Sequence, residues 1–138
     1  TVGGGQANTT NSSYSTVGGG VCNIANGSSS TIGGGSSNNV YCCYGFIGGG
    51  LLNVASGDYS AVVAGSGNIA SGACSFIGGG HQHEATNSFS TIAGGQNQTV
   101  SGSFAFVGGG NTNTASGNSS VVSGGNVNCA TSCYTTIG

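Results

Sequence analysis

The 138-residue sequence contains no lysine and no arginine, and its only acidic residues are Asp58 and Glu84. An ordinary globular domain is about a quarter charged. Because phosphate backbones and anionic lipid headgroups are bound through cations, the missing cations argue against nucleic-acid binding and against binding to charged membrane surfaces. A chain so close to neutrality also has little self-repulsion to keep copies apart, so we expect self-association.

Long apolar runs are also missing. The sequence has no stretch of about eighteen apolar residues that could cross a bilayer, and it has no charged, apolar and small-residue leader. We therefore predict no membrane insertion. The chain starts and stops inside a repeat and shows no atypical capping repeat, so we expect it to be an excerpt of a longer array.

Motifs that carry catalysis or bind cofactors are absent as well. The triple glycines are not followed by Gly-Lys-Ser/Thr and so do not form a phosphate-binding loop. Calcium-binding glycine-rich rolls need repeated aspartates, which the sequence lacks. Asp58 is almost two repeats away from His83, and the many serines single out no Ser-His-Asp arrangement. We therefore predict a protein that is not an enzyme and needs no cofactor.

What the sequence does contain is a fifteen-residue unit that repeats from Thr1 to Gly138 without insertion. A fixed period predicts identical structural units stacked along one axis. One aliphatic residue recurs in every unit, at Val2, Val17, Ile32, Ile47, Val62, Ile77, Ile92, Val107, Val122 and Ile137. Each complete unit continues with small residues up to a glycine, at Gly5, Gly20, Gly35, Gly50, Gly65, Gly80, Gly95, Gly110 and Gly125.

The fold class follows from the spacing of residues within each unit. No segment shows helical spacing, and β-branched and aromatic residues cluster in two short strands, one around Ser15 to Val17 and one around Asn23 to Ala25. If each strand pairs with its copy in the next unit, the coils rise by about 4.8 Å. We therefore predict an all-β protein in which residues 1–138 form a single continuous parallel β-solenoid of about nine coils.

Two apolar columns are expected to face the interior of this solenoid. One is the valine and isoleucine column, and the other consists of Ala25, Val40, Ala55, Ala70, Ala85, Val100, Ala115 and Ala130. Glycines between the strands are expected to allow positive φ angles or close backbone approach at a corner, at Gly27, Gly57, Gly72, Gly102 and Gly117. An interior this thin predicts that oligomerisation or crosslinking adds to the stability.

A column of amides lies between the two strands of each unit. It consists of Asn8, Asn23, Asn38, Asn53, Asn68, Asn113 and Asn128, and it is interrupted by His83 and Gln98. An amide at one fixed corner of successive coils can bond its neighbours and the turn backbone, which predicts a ladder that holds the register. A ligand-binding row is the rival interpretation.

Most aromatic residues fall on one predicted face. Strand alternation around each inward aliphatic residue places two positions outside, which hold Tyr14, Tyr44, Phe46, Tyr59, Phe76, Phe89, Phe104, Phe106 and Tyr134. Phe46, Phe76 and Phe106 alternate with smaller residues, a pattern that suits interdigitation with another chain. We interpret this face as a self-association surface. In the alternative interpretation the facing is inverted and the rings fill the coil.

The pattern resembles the head repeats of trimeric autotransporter adhesins, the YadA-like family. Ile47, Gly50, Ala55, Gly57 and Ser60 follow the order of aliphatic, glycine, alanine, glycine and serine in those repeats, as do Ile77, Gly80, Ala85 and Ser90. The resemblance covers the whole chain, although the unit here is longer and glycine replaces the second aliphatic residue. It implies a left-handed parallel β-roll, assembly as a trimer, and a fibrous or adhesive role at a cell surface.

Six cysteines form an even set, which in an uncharged repeat protein suggests an oxidising extracellular setting. The candidates for disulfides are Cys22, Cys42, Cys43, Cys74, Cys129 and Cys133. Cys129 and Cys133 are close enough in sequence to bond within one coil, and the others are candidates for links between chains. No CxxC pair supports zinc binding, and small unbonded cysteines are the simplest alternative.

His81 and His83 are weak metal-binding candidates, because alternate residues of a strand share one face and copies around a threefold axis would bring several imidazoles together. The alternative, which we favour, is that His83 replaces an amide of the asparagine column. Asn-x-Ser/Thr sequons mark candidate glycosylation sites in a glycosylating source, at Asn8, Asn11, Asn26, Asn97 and Asn118.

These observations favour an extracellular or cell-surface structural protein that associates with itself as a filament or trimer. An adhesin head that binds a surface or matrix ligand is the second hypothesis. A third is an ice-binding or small-ligand-binding solenoid, which needs a regular threonine array. The threonines at Thr1, Thr16 and Thr31 give way to Phe46, so the sequence provides no such array.

Overall fold

A computed structural model describes all 138 residues, from Thr1 to Gly138, and shows an all-β protein without a helix. Its strands form two sheets of nine parallel strands each. Every strand pairs with the strand fifteen residues earlier or later, as in the register of Phe46 with Ala61 and of Val54 with Ile69. The predicted parallel β-solenoid with a fifteen-residue coil is therefore confirmed.

Each strand has only two residues, because turns interrupt the chain several times in every fifteen-residue coil. The first sheet consists of β2 Thr16–Val17, β4 Thr31–Ile32, β6 Phe46–Ile47, β8 Ala61–Val62, β10 Phe76–Ile77, β12 Thr91–Ile92, β14 Phe106–Val107, β16 Val121–Val122 and β18 Thr136–Ile137. The second sheet consists of β1 Thr9–Thr10, β3 Ile24–Ala25, β5 Asn39–Val40, β7 Val54–Ala55, β9 Ile69–Ala70, β11 Glu84–Ala85, β13 Thr99–Val100, β15 Thr114–Ala115 and β17 Cys129–Ala130.

A third row of backbone pairing runs up the solenoid outside the two sheets. Single parallel bridges join Gln6 to Val21 and continue, one per coil, to the bridge between Asn111 and Asn126. The coil is thus bonded to its neighbours on three sides. Because parallel pairing fixes the register on every side, a residue in one coil stands directly above the residue fifteen positions earlier.

The interior contains the two predicted apolar columns and little else that is apolar. The side chains from Val17 to Val122 in the first column and from Ala25 to Ala130 in the second are fully buried. Small polar residues occupy the remaining interior positions, such as Ser30, whose hydroxyl donates to the carbonyl of Gly27 at 2.6 Å. The core is therefore narrow and half polar, and hydrogen bonds between coils must contribute much of its cohesion.

Glycine is required at the last position of each small-residue run. All nine of these glycines have φ between 87° and 106°, a region that favours glycine. A methyl group at Gly35 would also overlap the carbonyl oxygen of Gly50 in the next coil. The corner glycines predicted from the sequence behave differently: Gly27 and Gly57 do not have positive φ, and their need is for close approach alone, because an added Cβ would strike the next coil's backbone.

The left-handed corners of the coil are occupied mainly by residues other than glycine. Seventeen such residues have positive φ, and all stand at two positions of the repeat, represented by Leu52 at 57° and Tyr59 at 60°. Bulky residues seldom adopt this conformation. The aromatic residues at the second position, Tyr44 and Tyr59 among them, therefore reach the surface through a left-handed turn, and the strand alternation that we assumed for them is wrong.

Alanine substitutions within one triple glycine show which of its glycines the backbone conformation requires. We expect Gly35→Ala to lower the free energy of unfolding by about 2 to 4 kcal/mol, because it combines a left-handed φ with overlap of the next coil. Gly34→Ala is the matched control: its methyl group would lie 4.0 Å from the nearest atom, so we expect a change within about 0.5 kcal/mol. Urea denaturation measures both changes. Equal losses of unfolding free energy in the two variants would contradict the claim that glycine is required only at the last position.

Candidate functional site: the asparagine ladder and the aromatic face

The asparagine column forms a continuous row of hydrogen bonds inside the solenoid. Asn53 is fully buried, and its Oδ1 accepts a hydrogen bond from the backbone N–H of Asn68 at 3.0 Å. Its Nδ2 donates to the carbonyl of Gly49 in its own coil at 3.0 Å and to that of Gly65 in the next coil at 2.9 Å. Asn38 and Asn113 repeat the same three bonds.

The ladder therefore fastens each coil to the next through a side chain that bonds three backbone groups. At Asn53, the N–H of Asn68 and the carbonyl of Gly49 have no other partner, and each would cost about 1 to 3 kcal/mol if left unpaired, whereas the carbonyl of Gly65 also accepts from the N–H of Leu51. The amide is the one small side chain that combines an acceptor with a two-proton donor. The hydrogen bonds that we expected from the column are present from Asn8 to Asn128.

His83 and Gln98 continue the row on its acceptor side only. The backbone N–H of Gln98 donates to Nδ1 of His83 at 3.1 Å, and the backbone N–H of Asn113 donates to Oε1 of Gln98 at 2.8 Å. Nε2 of each side chain is buried without a hydrogen-bond partner. Because Nδ1 of His83 accepts, the neutral ring carries its proton on Nε2.

The environment of His83 disfavours the charged ring. Burial is the largest cause that lowers the pKa of His83, and His81 acts in the same direction. The carbonyl groups of Gly95 and Gly79 oppose the shift, although neither makes a well-aligned hydrogen bond to Nε2. Protonation of Nδ1 would also turn the acceptor of the Gln98 N–H into a donor, which would break the ladder at this coil.

The structure contradicts the premise of the histidine metal site. His81 is exposed while His83 is buried, because Gln82 between them has φ of 54° and reverses the alternation that we assumed. No group of three or more histidine, cysteine, aspartate or glutamate side chains is close enough together to hold a metal ion. The two histidines therefore do not share a face, and His83 is a member of the ladder.

All the aromatic side chains lie at the surface. The exposed members of the predicted face are Tyr14, Tyr44, Phe46, Tyr59, Phe76, Phe89, Phe104 and Tyr134, and Phe106 is half-buried. Tyr41, which we did not include, is exposed on another side of the coil. The inverted arrangement, in which the rings fill the interior, is thus excluded.

Two kinds of contact organise the aromatic face. The rings of Tyr44 and Tyr59 are stacked with centroids 4.9 Å apart, and those of Phe89 and Phe104 are stacked at 4.8 Å, the spacing of adjacent coils. Phe46 instead lies over Gly48 two residues later, with Cε1 3.5 Å from the position that a Cβ would take. Phe76 and Phe106 lie over Gly78 and Gly108 in the same way.

The cysteines form no disulfide in the structure. All six thiols are free, five of them exposed, and the bond that we considered between Cys129 and Cys133 is not formed. Cys42 is buried, and that burial raises the pKa of its thiol, while its contact with the Ser60 hydroxyl at 3.6 Å acts in the opposite direction. A Cβ at Gly45 would collide with this thiol and with Cγ1 of Val40, so this coil has glycine where the neighbouring coils have Ser30 and Ser60.

The sequons differ in how free their amides are. Nδ2 of Asn8 donates to two carbonyl groups at 2.8 Å, so this residue belongs to the ladder and is a poor acceptor for a glycan. Asn11 and Asn118 are exposed, and Asn26 and Asn97 are half-buried. Nδ2 of Asn11 donates to Oδ1 of Asn26 at 2.7 Å, so Asn118 is the more accessible candidate of the exposed pair.

Removing one amide of the ladder tests its energetic role. We expect Asn53→Ala to lower the free energy of unfolding by about 2 to 4 kcal/mol, because it leaves the N–H of Asn68 and the carbonyl of Gly49 without a partner, while the carbonyl of Gly65 still accepts from the N–H of Leu51. Asn39→Ala is the control in the neighbouring coil, since Oδ1 of Asn39 has no hydrogen-bond partner to lose. Comparable losses for the two variants in urea denaturation would refute the ladder's contribution.

The buried imidazole predicts a pH dependence of stability. Because the pKa of His83 is lowered on folding, the unfolded chain binds more protons, so stability is fully present above about pH 6.5 and declines as the pH falls toward the folded pKa. We expect His83→Asn, which restores the amide, to reduce this decline and raise the urea midpoint. His81→Asn, at an exposed position, should keep the decline; if His83→Asn keeps it too, the assignment is wrong.

Comparison with known proteins adds no family to this description. No protein-family model matches the sequence, and no curated protein matches it. The structure contains no helix of the length and apolar character that a membrane span requires. The resemblance to adhesin head repeats stays a prediction.

Proposed function

We propose that this chain is a non-enzymatic structural protein, a β-solenoid that assembles with copies of itself into a filament or fibre outside the cell. The observation that carries the proposal is the aromatic face, since rings are exposed over successive coils from Tyr44 to Phe106. Exposed apolar patches of several hundred Å² on a soluble protein usually mark an interaction surface.

The size of the face suits protein association. An aromatic side chain presents about 150 to 250 Å² when fully exposed, and the rings here are about half exposed. The seven rings from Tyr44 to Phe106 therefore offer roughly 500 to 900 Å² before smaller residues are counted. A stable interface buries about 800 Å² on each partner, so the aromatic face alone approaches that requirement.

The bonding between coils suits a rod that is held together along its whole length. Backbone bonds join neighbouring coils at both sheets and at the third row, and the ladder adds side-chain bonds inside each corner. Two acidic groups and no basic group leave little charge repulsion between rods packed side by side. The extracellular placement rests on the resemblance to surface head repeats and on the exposed sequons at Asn11 and Asn118.

Sedimentation velocity over a range of concentrations tests this proposal. We expect the unmodified chain to form dimers or larger species in the micromolar range, and we expect Phe76→Ser combined with Phe104→Ser to remain monomeric. Val54→Ser combined with Ile69→Ser is the matched control, because these apolar residues lie on the outer side of the second sheet. The control should associate like the unmodified chain.

Two results would overturn the proposal. One is an unmodified chain that stays monomeric at the highest concentration while circular dichroism shows it folded. The other is equal loss of association in both double variants, which would mean that association does not depend on the aromatic face. Urea denaturation of the variants checks that loss of association is not loss of folding.

A further inference from the structure

Two columns on the outer side of the first sheet alternate in size between Phe46 and Ser123. The first column reads Phe46, Ala61, Phe76, Thr91, Phe106 and Val121. The second, two residues further along each coil, reads Gly48, Val63, Gly78, Ala93, Gly108 and Ser123. Every phenylalanine of the first column is thus followed, two residues later, by a glycine. Every smaller residue of the first column is followed by a residue that is larger than glycine.

This alternation gives the face a relief with a period of two coils, or about 9.6 Å. Each phenylalanine ring lies over the glycine of its own coil, and the coils between have only Ala61, Thr91 or Val121 at the ring position. Ridges and hollows of equal spacing can interlock with a copy of themselves when the copy is displaced by one coil. A flat stacking surface would not need the alternation.

Symmetry limits which arrangements of two copies are displaced by one coil. A rotation axis parallel to the solenoid, twofold or threefold, keeps equivalent coils at the same height, so phenylalanine would meet phenylalanine and the hollows would stay empty. A parallel pair shifted by one coil interlocks, but the two chains then differ in environment. Equivalent environments in a closed pair require a twofold axis.

We infer that two copies of this chain pair antiparallel through the first sheet, about a twofold axis that passes between the coils of Phe76 and Thr91. This axis is the centre of the alternating region. Phe76 then faces Thr91 of the second copy, Phe106 faces Ala61, and Phe46 faces Val121. All three phenylalanines of each chain enter a hollow, and each hollow receives one ring.

The neighbouring columns fit the same axis. A twofold axis perpendicular to the solenoid brings each column against its own copy, so the larger residues of the second column, Val63, Ala93 and Ser123, face the glycines at 108, 78 and 48. In the row that contains Phe89 and Phe104, the same axis brings Phe89 to the height of Cys74 of the second copy and Phe104 to the height of Tyr59. The antiparallel pair is thus complementary in size in the first two columns at once.

This inference rests on the proposed self-association and specifies its geometry. The occupant of the aromatic face is a second copy, and the pair has no overall direction. A threefold head with parallel chains would need a different surface pairing. The antiparallel pair is consequently a lateral unit of a fibre with two equivalent ends.

Distances between spin labels distinguish the arrangements. The five exposed cysteines are replaced by serine, the buried Cys42 is retained, and one new cysteine is labelled at either of two exposed sites, His81→Cys or Asn126→Cys. In the antiparallel pair the two labels are separated along the axis by about one coil, or 5 Å, at position 81 and by about five coils, or 24 Å, at position 126. A parallel pair gives the same distance at both positions.

A matched pair of substitutions tests the interlocking itself. Thr91→Phe fills the hollow that receives Phe76, so we expect the dissociation constant of the pair to rise at least tenfold. Thr99→Phe makes the same change at the equivalent half-buried strand position of the second sheet and should leave the constant within about twofold. Sedimentation equilibrium measures both constants.

The outcomes distinguish the antiparallel geometry from the proposed self-association on which it rests. Unequal distances together with weakening by Thr91→Phe alone support the antiparallel pair. Equal distances at positions 81 and 126, or undiminished pairing of Thr91→Phe, overturn it while self-association stands. A chain that gives no distance between copies and sediments as a monomer overturns both.

Discussion

The hydrogen bonds from one buried asparagine side chain to the next coil are the constraint on which the rest of this structure depends. Asn53 joins the backbone of its own coil to that of the coil above, and its equivalents repeat the connection along the solenoid. A coil of fifteen residues encloses too little apolar volume to be held by burial alone. Register is therefore specified by polar contacts that fit in only one alignment.

Several other features are consequences of that alignment. Close stacking at the ladder's corner leaves no space for a Cβ at Gly35, which would meet both the carbonyl of Gly50 and Nδ2 of Asn38, so glycine there is a requirement of the ladder's geometry. Strict register also places equivalent side chains at a constant spacing. Aromatic residues that are far apart in the sequence therefore line up in regular columns on the outside of the coil. The same constraint that stabilises the coil thus generates the surface through which we propose that copies meet.

The coil and its two inward columns could be predicted because the fifteen-residue period is uninterrupted. Once Val17 and Ala25 are assigned to the interior, the residues at multiples of fifteen positions later are assigned there as well. The backbone conformation at the corners could not be predicted. Leu52 and Tyr59 adopt left-handed φ angles that sequence rules assign to glycine, because the stacked coils impose the turn on whatever residue stands there. That turn separates His81 from His83, which strand alternation had placed on one face. The size alternation from Phe46 to Val121 is visible in the sequence. The link between each phenylalanine and the glycine two residues later is not, because it depends on the rings lying over those glycines.

Exchange of the asparagine side-chain protons with solvent deuterium, followed by nuclear magnetic resonance, tests the ladder most directly. In the folded chain the Nδ2 protons of Asn38, Asn53, Asn68 and Asn113 each bond two carbonyl groups, so our account predicts that they exchange orders of magnitude more slowly than those of the exposed Asn118. Exchange of the ladder amides at the rate of Asn118, in a chain that retains its strands, would contradict the account.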